Sequence, residues 1–468
     1  MRKVAATIAT LCVIGLSIYL VAWVAGGGGP QEVNLKGAPN TIRPFLGLLS
    51  KDKVIVRSSL SHVDLNWRDE SALLLTEVTR IKKHGPVSKE IREIRKNRSG
   101  KSFGPRPEEW YDWIWNQEPM WGPDYADFKA RLYSTIDSRF AAYFQKTDNA
   151  KIRLDEIVWG GVVRDGIPPL NNPKMISADK ADYLDPGDVV FGVTYGKEAR
   201  CYPKRILAWH EMFNDTIAGH RLCGVYCTLC GSLIIYESDH NDVKHELGTS
   251  GFLYRSNKLM YDKATESLWS TLTGEPVVCP LVDKGIRLEQ THVVTTTWGA
   301  WKLRHPDTTV LSLDTGHTRD YGEGVAYSNY FATDDLMFSV PETDTRLKNK
   351  AEVVTMKSGD EQLAMSADFL LENKVYHDSI GSTKLVVLTD DTGANRVYES
   401  GNVQFVSWDQ GTTATDSTGT TWTVEPLKLT SKNKTLLRLP AHRAFWFGWY
   451  AQFPETRLVH ELGPDSAL

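Results

Sequence analysis

Two cysteines two residues apart, Cys227 and Cys230 in the stretch GVYCTLCGSLIIYES, are the residues of this chain best suited to chemistry. A Cys-x-x-Cys pair can hold a soft metal through its thiolates, cycle between dithiol and disulfide, or close a small structural disulfide. Without a second Cys-x-x-Cys the pair does not complete a four-sulfur zinc site, so a metal needs ligands from elsewhere. His210 in WHEMFND, Met260 in KLMYD, His245 and Asp262 are the candidates, His210 and Met260 foremost. Thiolate, imidazole and thioether together suit cuprous copper, with zinc as the alternative. Each has an ordinary reading beside it: His210 as a hydrogen-bonded buried histidine, Met260 as apolar filler. His245 alternates along a strand and reads as structural. Cys223, Cys227 and Cys230 also spell C-x3-C-x2-C, a spacing used by iron–sulfur enzymes. The alternating run puts Cys223 and Cys227 on one strand face, roughly 13 Å apart at about 3.3 Å per residue, too far to share a cluster.

The redox reading needs a lowered thiol pKa, from a helix N-terminus or a nearby cation. Here Gly231-Ser232 and a strand-like run follow the pair, so Arg255 or His210 would have to supply the charge. A third reading makes the pair a structural disulfide and TSGFLYRSN a ligand loop, with Ser250, Tyr254, Arg255 and Asn257 as polar contacts and Asp262 just beyond. No nucleophile–base spacing, phosphate loop or paired-carboxylate pattern specific enough to name a reaction is present, and whether the chain is an enzyme stays open.

These residues lie in the first of two similar segments. Residues 186–312 and 350–460 align as two copies of one unit, Gly196 on Gly359 at an offset of 163, falling to 162 by a shared YES. The closing stretches TWGAWKLRHPDTTVL and FWFGWYAQFPETRLV also match. Each copy reads as strand, helix, hairpin strands and closing helix. The predicted fold is therefore α+β: two tandem copies of a mainly antiparallel β unit with a flanking helix, preceded by a helical region and an N-terminal transmembrane helix. The repeat acts as an internal control. Cys201 falls on Ala364 and Cys223 on Val386, as apolar core positions would, whereas Cys227 falls on Asp390, Cys230 on Gly393 and His210 on Asn373. The second copy is nine residues shorter between YES and the following Trp, a gap that falls on 248–262. Thiols, histidine and segment missing together point to one site built only in the first copy.

The predicted organisation is a membrane anchor and Gly-rich tether at 1–29, a mainly helical region at 30–150, the first repeat with the thiol pair at 151–330 and a degenerate second repeat at 331–468. Residues 4–25 carry no charge and follow Arg2 and Lys3. That length spans a bilayer, and the flanking charge favours an N-in orientation. An uncleaved anchor fits better than a cleaved signal, and either exports the rest to the periplasm or the cell exterior. Beyond Cys12 in the span, five cysteines remain, an odd number, so outside the cytoplasm at least one is not in an internal disulfide. A net charge of −4 over 468 residues argues against a general nucleic-acid binder. The dense basic stretch at 80–101 has nine Lys or Arg against two Glu; it reads as a solvated helical face, with an anionic partner or membrane surface as the alternative. The cluster Trp110, Trp113, Trp115 and Trp121 reads as core or docking surface before ligand platform.

The stretches EARCYPKRILAWHEMFNDT, YCTLCGSLIIYES, GTSGFLYRSNKLMYDKATESLWSTLTGE and TWGAWKLRHPDT, in this order, resemble the bacterial family known as domain of unknown function 3179 (DUF3179). The resemblance covers about residues 180–460. It implies an exported protein but names no reaction, substrate or partner. Family members usually carry Cys-Pro-Leu-Cys where this chain has Cys227-Thr228-Leu229-Cys230.

Overall fold

The computed structural model describes residues 31–119 and 121–462. The expected transmembrane helix at 4–25 lies outside them. Among the described residues no helix is long and apolar enough to cross a membrane.

The chain divides into two compact units. One holds the described residues through 167 with 247–287 and 337–341; the other holds 168–246, 288–336 and 342 onwards.

In the first unit the helical expectation for 41–150 is met. Helices Lys53–Leu65, Ser71–Ile81, Pro86–Ser99, Pro107–Trp115 and Tyr125–Ser134 follow one another. Proline at the first helical turn starts the third and fourth of these, where its missing N–H costs nothing. Gly100 ends Pro86–Ser99 in the left-handed region (φ 69°). Trp110 and Trp115 are buried, and Trp110 stacks 3.8 Å from the Arg95 guanidinium, so the tryptophan cluster is core first. A buried ion pair, Lys129 to Glu77 at 2.9 Å, is completed by the hydroxyl of Tyr125, which donates to Glu77 at 3.0 Å. The same unit carries a five-stranded antiparallel sheet in the order Ile157–Trp159, Leu247–Tyr254, Asn257–Asp262, Leu268–Ser270, Pro276–Val278. Phe252 of this sheet packs edge-on against Tyr133, Phe140 and Phe144.

The second unit is α+β with mostly antiparallel sheets, and its two segments share a strand plan. In one sheet Val294–Thr297, Val189–Tyr195, Glu198–Pro203 and Thr309–Leu311 lie in that order, the last pair parallel. In another, His442–Phe445, Glu352–Ser358, Glu361–Ser366 and Arg457–Val459 lie in the same order with the same senses. Gly192 faces Cys201 where Thr355 faces Ala364, each pair 163 apart. Both hairpins turn on glycines of positive φ, Gly196 at 57° and Gly359 at 58°. The closing helices Trp298–Arg304 and Trp446–Tyr450 repeat one device: the Trp301 indole donates to Thr308 Oγ1 and the Trp449 indole to Thr456 Oγ1, each at 2.9 Å. The three-strand meander also repeats, with Asp215 facing Leu222 and Asp378 facing Leu385.

The segment 248–262 is shortened in the second copy rather than removed. There a second five-stranded sheet, Phe405–Trp408 through Thr435–Leu437, occupies the same place in the chain, and its first hairpin is shorter. Met260 faces Trp269 across one hairpin as Ala414 faces Trp422 across the other.

Candidate functional site

The thiol pair closes the hairpin between His220–Cys227 and Ser232–Glu237. The strand ends next to the turn, Leu222–Cys227 and Ser232–Tyr236, are buried, and Thr228, Leu229 and Cys230 between them are buried too. Cys230 N–H donates to Cys227 O at 3.1 Å, closing a four-residue turn, and Gly231 follows at φ 60°. Cys227 is 2 % and Cys230 0 % exposed. Neither is in a disulfide, nor are Cys201, Cys223 and Cys279. Cys227 faces Ser232 directly across the ladder, which puts both side chains on one face of the hairpin. Thr228 Oγ1 and Ser232 Oγ are buried and have no hydrogen-bond partner among the described residues.

The surroundings come largely from sequence distant from the pair. Phe445 N–H donates to Cys230 O at 2.7 Å. A Cβ on Gly448 would stand 2.8 Å from Cys230 Cβ and 3.0 Å from its sulfur, so only glycine lets the closing helix approach this closely. The Tyr330 hydroxyl donates to Leu229 O at 2.8 Å, and the Lys350 ammonium stands 3.5 Å over the Tyr330 ring. Burial pushes the hydroxyl pKa values of Tyr226 and Tyr330 up, and negative charge on Cys227 and Cys230 adds to the rise in both. Sequence reasoning missed Gly448, Phe445 and Tyr330. Gly448 falls opposite Ala300 in the repeat alignment, a faint signal; Tyr330 lies in the connection between the copies and left none.

The second segment closes the equivalent hairpin without sulfur, through a connection one residue shorter. Gly393 N–H donates to Asp390 O at 2.8 Å. Asp390 Oδ1 accepts from Thr392 N, Thr392 Oγ1 and Ala394 N, and Arg396 pairs with its other oxygen at 3.1 Å. The register places Asp390 where Cys227 stands, because Tyr226 faces Leu233 as Thr389 faces Asn395.

The four residues expected to ligate a metal do not form one cluster. Among the described residues no group of three or more His, Cys, Asp or Glu is disposed to hold a metal. His210 ends the helix Lys204–His210, fully buried, with both ring nitrogens engaged. Its Nδ1 lies 2.9 Å from Pro168 O, an acceptor only, so Nδ1 carries the proton and donates. Nε2 then accepts from the Tyr321 hydroxyl at 2.6 Å. Burial lowers the His210 pKa to about 4, which keeps it neutral and holds this tautomer. Tyr321 in turn lines a cleft of about 440 Å³ with Tyr183, Arg205, His317 and Arg319. Met260 belongs to the other unit, buried in the hairpin core against Trp269. His245 is buried in the thiol unit, where its N–H donates to Ser238 O at 2.9 Å.

The expected ligand residues lie together on the hairpin Leu247–Tyr254/Asn257–Asp262 of the first unit. Ser250 bridges an irregularity in that hairpin: its hydroxyl donates to Leu259 O at 2.6 Å and accepts from Phe252 N at 3.0 Å. Arg255 pairs with Glu156 at 2.5 Å. Arg255 and Ser256 form the two-residue loop, both at positive φ. Burial, then the Glu156 charge, raises the Tyr254 hydroxyl pKa. Asp262 Oδ1 accepts from Ala264 N, Thr265 N and Thr265 Oγ1, the role Asp416 plays toward Thr418 and Thr420 in the second segment. Asn257 differs: both its amide atoms are buried and have no hydrogen-bond partner among the described residues.

The fold and its turn thus define an α+β protein of repeated antiparallel meanders with a buried thiol pair in one copy. The model of the family described as "Protein of unknown function (DUF3179)" matches residues 164–456, and the chain belongs to that family. No curated protein and no solved structure matches it.

Proposed function

We propose that this chain is an exported protein, tethered to the cytoplasmic membrane through residues 4–25, whose thiols Cys227 and Cys230 hold one soft metal ion, cuprous copper in preference to zinc. The observation that carries the reading is the turn shared by the two segments. In the second segment a carboxylate closes it, so the hairpin forms without sulfur, and two buried thiols in the first are surplus to folding. Soft thiolates select cuprous copper. Zinc takes four ligands in a structural site, and no such donor group stands among the described residues.

A dithiol–disulfide cycle is the second reading. The ends of a four-residue turn lie within about 7 Å, a span a disulfide can cross. Burial of both sulfurs argues against exchange with a protein disulfide, which needs access to the attacking thiolate.

The test is anaerobic titration of the full chain, purified without chelator, with cuprous ion against a cuprous-selective chromogenic competitor, and with zinc in parallel. One cuprous ion per chain is expected, lost in Cys227→Ser and in Cys230→Ser with the circular dichroism unchanged. Affinity should fall in acid, because both thiols must deprotonate to bind. Wild type that binds no more metal than these two variants, with a Cys227–Cys230 disulfide that opens only on unfolding, would leave the structural reading alone.

A further inference from the structure

The thiol reading makes no use of the basic stretch at 80–101. In the first unit that stretch lines a cleft of about 450 Å³, within the ~300–1,000 Å³ typical of small-molecule sites. Arg80, Lys83, Lys89, Arg92 and Arg106, with His84, face one carboxylate, Glu108. The chain as a whole is net negative, so the positive charge is local to this cleft.

Two helices begin at its wall. Pro86–Ser99, 14 residues long, has no side-chain N-cap and no acidic residue in its first turn, and its N-cap Gly85 lines the cleft. Pro107–Trp115, nine residues long, also lacks a side-chain cap, but Glu108 and Glu109 in its first turn already answer its dipole; Arg106 at its N-cap lines the cleft and pairs with Glu109 at 3.0 Å. The uncapped, acid-free first turn of Pro86–Ser99 leaves backbone N–H groups and the positive end of the helix dipole for an anion.

A second observation is independent of the helix ends. Arg80 in the wall is 6 % exposed. Its Nη2 donates to Glu108 Oε1 at 2.9 Å and its Nη1 to Trp159 O at 3.4 Å; the Tyr111 hydroxyl is also close enough to interact, and the buried Nε has no well-formed hydrogen bond among the described residues. A buried guanidinium with an unused donor is costly unless something accepts from it. Burial, then the Arg80 charge, lowers the pKa of the neighbouring Lys83.

We propose that this cleft binds a small phosphate-bearing anion. Guanidinium forks and helix N-termini both match the several oxygens of a phosphate, and a point carboxylate would leave most of them unused. A soluble phosphate ester and the phosphate of an anionic lipid headgroup present the same chemistry.

The test uses the full chain in non-ionic detergent. Calorimetric titration with pyrophosphate and with glycerol 3-phosphate covers the soluble source. Cosedimentation with phosphatidylglycerol vesicles, against phosphatidylcholine vesicles, covers the lipid source. Binding in either arm should weaken about tenfold or more in Lys89→Ala/Arg92→Ala, which removes two charge-assisted contacts from partly exposed positions of the wall. Lys96→Ala/Lys101→Ala, on the same basic stretch but outside the cleft, should leave it unchanged. No binding in either arm, or equal loss in both double variants, would overturn the site and leave a merely solvated basic face.

Discussion

At the scale of single residues, the buried sulfurs divide by neighbourhood. Cys201 and Cys223 stand where the second segment carries Ala364 and Val386, and each packs as a small apolar group. Cys223→Ser is therefore expected to lower stability by about 1–3 kcal/mol, the cost of burying a more polar hydroxyl in place of the thiol, while leaving cuprous stoichiometry at its wild-type value. Denaturant midpoints and metal titration on one preparation check both halves; loss of metal with Cys223 would move the site off the turn. Gly448 makes the opposite kind of prediction. Its counterpart Ala300 shows that the closing helix itself accepts alanine, but here a Cβ meets Cys230 at 2.8 Å. Gly448→Ala should cost about 1–3 kcal/mol by overpacking and weaken metal binding, read from the same two measurements. His210 is held by Pro168 and Tyr321, so His210→Ala should destabilise by about 1–3 kcal/mol through the unpaired groups it leaves without removing the ion. Loss of binding with an unchanged midpoint would restore it as a ligand.

At the scale of elements, two hairpins of similar plan carry different loads. Asp262 and Asp416 both fold a carboxylate back onto the next turn, and neither needs a ligand to explain it. Asp262→Ala should cost about 1–2 kcal/mol, the range of a lost side-chain cap, and leave metal and anion binding where they were. A midpoint within error of wild type would show that the turn holds by itself. The thiol hairpin keeps the strand plan of its counterpart but has a connection one residue longer, so the two differ in the turn and its sulfurs and not in the strands.

At the scale of the whole molecule, the buried His210 and His442 and the half-buried His292 and His305 shape the response to acid. Burial lowers His210 and His305 to about 4 and His292 and His442 to about 3, from an ordinary 6.5; Arg438 adds to the effect at His292, Arg304 and Arg396 at His305. The unfolded chain takes up these protons near pH 6.5 and the folded chain refuses them until much lower. Stability is therefore full above about pH 6.5 and falls as pH drops toward 4, by at most about 1.4 kcal/mol per pH unit for each histidine. Urea midpoints from pH 7.5 to 4.5 should trace that slope; a flat profile would mean the imidazoles are solvated. The topology has its own expectation: a C-terminal fusion should be active with a reporter that works only outside the cytoplasm, and activity of a cytoplasm-only reporter would sink the exported reading.

Much of this protein was legible in its sequence because the information was local or repeated. Apolar periodicity, proline at helix starts and glycine at turns place the helices of the first unit and the strands of the second. The offset of 163 between the segments predicts the register that Gly192–Cys201 and Thr355–Ala364 display, since residues that must face one core keep their spacing. The thiols stood out for the same reason: the second segment supplied their control. Partnership across long separations was not legible. Ligand chemistry and shared absence from the second copy joined His210 and Met260 to the thiols, yet His210 spends both nitrogens on Pro168 and Tyr321 and Met260 packs on Trp269 in the other unit. Side-chain direction and loop path decide that, and neither is written in spacing. The glycine that admits Cys230 lies more than two hundred residues away, at 448. The basic stretch was visible as charge, but only tertiary packing brought two helix starts and a buried guanidinium to the same wall, turning a charged surface into a cleft.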